Sequence, residues 1–215
     1  MPAAQRSEQI LDAAAEIFAK RGYRDASTAA IATAVGVGEP TLYRYFSSKH
    51  ALYLAVLDRS ADAQIAAWRR IVASSPTPLA GLRAAGRWYF SQMIEQPQPL
   101  LLRARALVET GDEEVAKHAR ERFLSTFEFT KELYEEAKTS GLIDAATDIT
   151  AYAWLFMGVG ALMDQAMLMD LKSDFDIELM RRIMAIVWPV MLARDVAAAP
   201  TDGARPAKEP GHARQ

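Results

Sequence analysis

The chain has 215 residues, and its 51% hydrophobic content is enough to bury a sizeable core. It contains no cysteine, which excludes disulfides, thiolate metal sites and thiol nucleophiles. The formal net charge of -2 shows no basic excess, so any affinity for nucleic acid must come from where the cations lie.

Apolar residues recur at helical spacing along most of the chain, and alternating strand patterns are nearly absent. The sequence therefore predicts an all-α fold of about nine helices. The predicted helices cover residues 7–21, 28–35, 39–46, 49–74, 78–96, 100–110, 113–139, 148–171 and 176–196.

The sequence shows no signal for a membrane or for export. The longest uncharged stretch, residues 149–163, is shorter than the roughly 20 residues of a membrane-spanning helix. Residues 1–20 carry charges throughout and lack the apolar segment of a secretory signal. We therefore expect a cytoplasmic protein with no membrane contact.

The first three helices form one unit in the sequence pattern. Ile10, Ala14 and Phe18 lie on one face of the first helix, and Gly22 follows as a stop signal. Residues 36–38, Gly-Val-Gly, make a short turn before the third helix, which favours a steep angle between two helices. The pattern predicts a helix-turn-helix head.

Residue types on the third helix suit contact with DNA. Leu42 and Phe46 share an inward face, so Thr41, Arg44 and Tyr45 are expected to point away. Arginine pairs with guanine through two hydrogen bonds, and a threonine methyl group can meet a thymine methyl group. A three-helix bundle that binds another protein is the alternative interpretation.

The head resembles the tetracycline-repressor (TetR) family of regulators. The resemblance rests on TAAIA at 28–32, AVGV at 34–37, PTLYRYF at 40–46 and the lysine at 49, and it covers about the first 55 residues. It implies that the third helix enters the major groove and that Thr28, Tyr43 and Lys49 hold phosphates.

Two positions depart from the family pattern. Glu39 stands where lysine is frequent, which removes one expected phosphate contact, although a carboxylate can accept from cytosine N4. Tyr45 stands where histidine is common. The predicted DNA-binding residues are Ser27, Thr28, Glu39, Pro40, Thr41, Tyr43, Arg44, Tyr45 and Lys49.

The last two predicted helices are candidates for a subunit interface, since a two-fold dimer doubles the DNA contact of one head. An apolar stripe runs along the last helix, and the resemblance implies that these helices pair across a homodimer. The alternative is that they serve only the core of the monomer. The predicted interface residues are Ala161, Met180, Ile183, Met184, Val187 and Met191.

The middle of the chain is rich in aromatic residues and methionines with a few polar groups, a mixture typical of ligand pockets and also of ordinary cores. We expect it to hold a hydrophobic or aromatic small-molecule effector. The predicted ligand-binding residues are Trp88, Gln92, Met93, Phe123, Phe127, Trp154 and Met157.

No catalytic motif is recognisable, so we expect no enzyme, no metal and no cofactor. Glu114 and His118 share a helix face, but no second pair completes a metal site. An all-helical enzyme with a DNA-binding head stays open as an alternative, as does a DNA-binding or interaction protein without a ligand.

These patterns together predict a ligand-responsive regulator, most simply a repressor that a small molecule releases from double-stranded operator DNA. We assign residues 1–50 to a helix-turn-helix DNA-binding domain and residues 51–196 to a ligand-binding and dimerisation domain. Residues 197–215 contain three prolines and no large apolar residue, which predicts a disordered tail. We expect the protein in the cytoplasm, associated with the nucleoid.

Overall fold

The computed structural model describes residues 2–108, 112–171 and 176–191, and over these ranges it contains nine α-helices and no strand. The all-α prediction is confirmed. The helices are α1 (Ala3–Asp25), α2 (Thr28–Ala34), α3 (Glu39–Tyr45), α4 (Lys49–Ala73), α5 (Pro78–Glu95), α6 (Gln98–Val108), α7 (Glu113–Thr139), α8 (Ile149–Leu168) and α9 (Ile177–Met191).

Each observed helix corresponds to a predicted one, with ends that differ by a few residues. Helix α1 extends the prediction by four residues at each end, since it begins at Ala3 and runs to Asp25. Gly22 has φ 76° and ψ 171° inside it, so the regular helix is interrupted where the sequence predicts a stop. The predicted ends of the sixth and ninth helices, residues 109–110 and 192–196, lie outside the described residues, as does the predicted tail at 197–215.

The head is built on a fully buried core. Ile10 and Phe18 of α1, Ile31 of α2, Leu42 of α3 and Tyr53 of α4 are each 0% exposed and belong to one cluster. The Phe18 and Tyr53 rings meet edge to face, with centroids 4.7 Å apart. Burial of these side chains is the main force that holds α1–α4 together.

The same cluster continues beyond the head. Leu102 and Ala106 of α6 and Val115 of α7 are buried in it. Helix α4 contributes Val56 and Leu57 to the same cluster, so α4 is shared by the head and the helices that follow. The boundary that we place at residue 50 is therefore crossed by a continuous apolar core.

The remaining helices pack around a second core. Trp68 of α4, Leu82 of α5, Tyr134 of α7 and Phe156 of α8 are among its buried members. A smaller cluster joins Met163 of α8 to Met180 of α9. No helix in the described ranges is long and apolar enough to cross a membrane.

Candidate DNA-binding head and ligand cavity

The turn between α2 and α3 shows how the head presents α3. Ser27 caps α2, its side chain accepting from the backbone N–H of Ala30 at 3.1 Å. Gly36 has φ 69°, a left-handed conformation that glycine adopts without strain. Gly38 instead has φ -79° and is the N-cap of α3. One left-handed glycine therefore suffices for the turn.

The structure divides the predicted residues of α3 between core and surface. Leu42 is fully buried, Thr41 is half-buried, and Pro40, Tyr43 and Arg44 are exposed. Tyr45 does not point away as we expected, because it is half-buried and packs on the head core three residues after Leu42. The surface of α3 that is open to a groove thus centres on Arg44 and Tyr43.

Three of the predicted DNA contacts form a hydrogen-bonded group. The Thr28 hydroxyl donates to Glu39 Oε1 at 2.5 Å, and its oxygen lies 3.1 Å from the Tyr43 hydroxyl. Because threonine has a single O–H, Tyr43 is the donor in the second bond. The Glu39 carboxylate therefore holds Thr28 and Tyr43 in place from within the protein.

Lys49 lies at the start of α4, beside the head surface. Its Nζ donates to the backbone carbonyl of Arg24 at 3.0 Å and lies 4.8 Å from the centre of the Tyr23 ring. An ammonium group has three donors, so two stay available for a phosphate. These contacts hold the charge in one place at the N-terminal end of a helix, where anions bind favourably.

Replacing Glu39 with glutamine tests which role its carboxylate plays. The amide oxygen can still accept from Thr28, so we expect an unchanged fold and an unchanged base preference. Loss of one negative charge beside the phosphates is expected to raise affinity for operator and random DNA alike, by about three-fold at low salt. Fluorescence anisotropy at two salt concentrations measures this. A changed preference at one base pair would instead show that Glu39 reads a base.

A cavity of about 690 Å³ lies among α4, α5, α6, α7, α8 and α9. Its volume falls within the range of about 300–1,000 Å³ that is typical of small-molecule sites. Most of its wall is apolar, and three exposed arginines also line it. The lining residues include Leu57, Trp68, Arg83, Arg87, Tyr89, Arg103, Phe123, Met157, Ala161, Asp164, Met180, Arg181, Met184 and Val187.

Two of the seven predicted ligand-binding residues, Phe123 and Met157, line this cavity. Helix rotation explains why the others lie elsewhere. Met93 is buried in the small methionine cluster, and Phe127 is buried under Trp154, with ring centroids 4.9 Å apart. Trp154 itself is 52% exposed on the outside of α8.

The two predicted residues of α5 also lie outside the cavity wall. Trp88 is half-buried against the second core and borders a separate surface depression next to α4. Gln92 is half-buried but does not line the cavity. Helix α5 instead lines the cavity with Tyr89 and Phe90, which are not among the seven predicted residues.

A polar group is set into this apolar wall. The Tyr89 hydroxyl donates to the Asp164 carboxylate, at 2.8 Å from Oδ1 and 2.9 Å from Oδ2. Asp164 is the one charged residue in the 20 residues of α8, a pattern that could have signalled it in the sequence. Burying a lone carboxylate in an apolar helix is unfavourable unless the carboxylate has a hydrogen-bond partner or binds a ligand.

Burial dominates the ionisation of this pair. It raises the pKa of Asp164 from 3.8 to about 6, against the opposing effects of the Tyr89 hydrogen bond and the Arg103 charge. The pKa of Tyr89 is also raised, first by burial and then by the negative charge of Asp164. The tyrosine therefore stays a neutral donor, while the aspartate titrates near neutrality.

The raised pKa of Asp164 makes stability depend on pH. The folded state holds this proton more tightly than the unfolded state, so the contribution is present at about pH 4 and is lost as the pH rises through about 6. We expect the free energy of unfolding of the wild type, relative to Asp164→Asn, to fall by up to roughly 3 kcal/mol over that interval. Urea titrations of both proteins measure it. A difference that is independent of pH would contradict the assignment.

Helix α4 is tied to its neighbours by side chains near its middle. Arg59 lies 3.0 Å from Glu8 and 2.9 Å from Asp12 on α1. On the opposite side, Arg103 of α6 donates to the Ser60 hydroxyl at 2.5 Å and to the Ser60 carbonyl at 3.3 Å. Two adjacent residues of α4 thus make different contacts: Arg59 contacts α1 of the head, and Ser60 contacts Arg103 of the cavity wall.

The paired residues Glu114 and His118 do not form a metal site together. His118 Nε2 lies 2.9 Å from Asp58 of α4, whereas Glu114 lies 3.6 Å from His50. Within the described residues no group of three metal-ligating side chains converges. Both histidines link α7 to the beginning and middle of α4.

The outer face of α8 is apolar and exposed. Leu155, Leu162 and Met169 recur every seven residues and are 40%, 52% and 59% exposed. Gly158 and Ala161 lie between them on the same exposed side. Such spacing is typical of one helix packing along another. On α9, Ile186 is 71% exposed.

The predicted interface residues of α9 are placed differently. Met180 is buried, and with Met184 and Val187 it lines the cavity of its own subunit. Ile183 is half-buried, and the side chain of Met191 lies outside the described residues. Ala161 of α8 is exposed and also borders the cavity. The α9 stripe therefore faces inward, where Met180, Met184 and Val187 line the cavity.

Comparison with known proteins agrees with the architecture of the head. The family model for bacterial regulatory proteins of the tetR family matches residues 10–56. The HTH-type transcriptional activator FasR of Mycolicibacterium smegmatis is 41% identical over 90 residues, which cover 42% of this chain and 41% of FasR. The HTH-type transcriptional regulator UidR of Escherichia coli is 28% identical over 73% of this chain and 79% of UidR.

Solved structures extend the likeness to the whole fold. The FadR regulator of Bacillus subtilis, in complex with stearoyl-CoA, has a TM-score of 0.73 at 19% identity and covers 86% of this chain and 97% of that one. AibR, in complex with isovaleryl coenzyme A and operator DNA, has a TM-score of 0.63 at 23% identity, covering 74% and 86%. With its helix-turn-helix geometry and its family-model match over residues 10–56, the head of the chain belongs to the TetR family of bacterial regulatory proteins.

Proposed function

We propose that this chain is a homodimeric transcriptional repressor that leaves its operator when a hydrophobic small molecule enters the cavity. Its DNA contacts are centred on Arg44 and Tyr43 of α3, with Lys49 on a phosphate. We place the dimer contact on the exposed face of α8. Such a protein acts in the cytoplasm, on the nucleoid.

The observation that supports this proposal best is the double role of α4. Leu57 belongs to the buried core of the head and also lines the cavity, and Trp68 lines the cavity eleven residues further on. A ligand that displaces this wall moves a helix whose first turns are packed into the head. The ligand then binds with different affinity to the two conformations that place the head differently. Such a difference in affinity is required for a ligand to control DNA binding.

The proposed effector is an amphipathic molecule with a hydrophobic chain, of the acyl thioester class. The apolar wall suits the chain, and Arg83, Arg87 and Arg181 suit phosphates, which arginine binds through paired hydrogen bonds. FadR and AibR were each solved with an acyl-coenzyme A, which adds support from proteins of the same fold.

Trp68 offers a contact for the polar end of such a chain. Its indole N–H is buried and has no hydrogen-bond partner among the described residues. The group is a donor only, so an acceptor such as a thioester carbonyl oxygen would satisfy it. Because Trp68 lies on α4, this contact would act directly on the connecting helix.

Operator binding in the presence of defined ligands tests the proposal. An operator is first selected from random-sequence DNA by the protein, and its affinity is measured by fluorescence anisotropy. We expect stearoyl-CoA or isovaleryl-CoA to weaken binding at least ten-fold, and free coenzyme A to have no effect. Unchanged operator affinity while calorimetry records ligand binding would favour a DNA-binding protein without ligand control.

A further inference from the structure

Asp164 is the one acidic residue among the described residues that line the cavity. Its carboxylate accepts from the Tyr89 hydroxyl at 2.8 and 2.9 Å. A carboxylate offers about four lone-pair positions, and this single donor leaves acceptor capacity on the cavity side. A second partner for Asp164 would therefore have to be a hydrogen-bond donor.

Arg103 lines the same cavity as Asp164 and brings hydrogen-bond donors to it. Its Nη1 is engaged with Ser60 of α4, and a guanidinium has five N–H donors in all. The positive charge of Arg103 also lowers the pKa of both Tyr89 and Asp164. The apolar wall thus contains an acceptor and a donor.

The chemistry of the two groups selects among ligand substituents. A ligand carboxylate would be attracted by Arg103 but repelled by Asp164, and a ligand ammonium would be attracted by Asp164 but repelled by Arg103, so neither charge suits both groups. A plain hydrocarbon would leave both groups without a new partner. An alcohol satisfies both, because its hydroxyl donates to Asp164 and accepts from Arg103.

We propose that Asp164, positioned by Tyr89 and accompanied by Arg103, determines specificity by binding a hydroxyl group on the hydrophobic portion of the effector. This inference rests on the proposed function, since it assumes that the cavity is the ligand site. It narrows the effector to a hydroxylated chain or another hydrophobic alcohol. Arg103 then links the bound hydroxyl to Ser60 of α4.

Three straight-chain probes that differ only at one end test this assignment by calorimetry near neutral pH. Decanol is expected to bind about ten-fold more tightly than decylamine or decanoate, the range of one hydrogen bond to a charged group. Asp164→Leu is expected to remove that preference. Asp164→Asn, which keeps the side-chain volume, is expected to reduce it at least three-fold. The matched control is Gln165→Leu, the exposed neighbour on α8, which should keep it.

The possible outcomes distinguish a failure of the hydroxyl assignment from a failure of the proposed ligand site. Binding of decanoate or decylamine as tightly as decanol overturns the hydroxyl assignment and leaves the ligand cavity standing. An unchanged preference for decanol in both Asp164 variants does the same. If none of the three probes binds while stearoyl-CoA does, the hydroxyl assignment fails alone; if stearoyl-CoA does not bind either, the proposed ligand site fails and this inference fails with it.

Discussion

Replacing Arg44 with alanine is expected to abolish specific operator binding while leaving the fold intact. Arg44 is exposed on α3, whereas Leu42 is the residue of α3 that is fully buried in the head core, so we expect the core to tolerate the loss of the Arg44 side chain. A bidentate arginine–guanine pair contributes about 1–3 kcal/mol of discrimination. Because a dimer loses this pair at both half-sites, we expect affinity for operator to fall on the order of 100-fold or more. Affinity for random DNA should fall much less.

A matched control separates base recognition from the loss of charge. Arg70→Ala removes an equally exposed arginine near the end of α4, 21 residues after Lys49 and therefore roughly 30 Å along the helix. It should leave operator affinity unchanged. Equal losses for operator and random DNA in Arg44→Ala would contradict the assignment, since Arg44 would then contact only phosphates.

Replacing Leu162 with glutamate is expected to convert the dimer into monomers. Leu162 is 52% exposed at the centre of the apolar face of α8 that also carries Leu155 and Met169. Burying an unpaired carboxylate twice at a two-fold contact is unfavourable by several kcal/mol. Light scattering coupled to size exclusion should record half the mass, and operator affinity should fall at least as far as in Arg44→Ala.

The Ile94→Glu variant is the matched control for Leu162→Glu. Ile94 is 58% exposed at the end of α5, so the variant introduces the same charge at a similarly exposed apolar position. It should remain dimeric. A dimeric Leu162→Glu variant would show that the subunits meet elsewhere, and loss of the dimer in Ile94→Glu would place α5 in the contact.

Local periodicity predicted the helices well because the apolar residues that recur at helical spacing are the ones that each helix buries. In the head, Ile10, Phe18, Ile31 and Leu42 are buried as their spacing indicates, and Gly22 and Gly36 adopt the positive φ that the turns require. The exception is Tyr45, whose large ring shares a helix face with Leu42. Its chemistry suggested DNA, but its position favours the core.

The cavity was harder to predict because several helices compete for the same interior. On α5, Trp88 and Tyr89 are neighbours, and only a helix rotation that the sequence does not reveal puts Tyr89 inside. On α9, the stripe of Met180 and Met184 is apolar whether it meets another subunit or closes a cavity. Periodicity identifies a buried face but not what covers it.

Asp164 is absent from the predicted ligand-binding residues, although the sequence carries a signal for it. A single carboxylate in an otherwise apolar helix is costly to bury, so its presence favours either a specific partner or a ligand. The structure supplies the partner in Tyr89. Intramolecular bonds between distant helices, such as Arg103 with Ser60, depend on tertiary packing and had no counterpart in the local pattern.

A ligand in the cavity is expected to change the separation of the two heads. To bind operator, a dimer must set its recognition helices about 34 Å apart, one turn of DNA. Because the natural chain has no cysteine, Lys20→Cys gives one spin-label site per subunit on the exposed surface of α1. Pulsed electron paramagnetic resonance then reports the distance between the heads. We expect this distance to shift by several ångströms when stearoyl-CoA saturates the cavity. An identical distance distribution with ligand bound would rule out this mechanism.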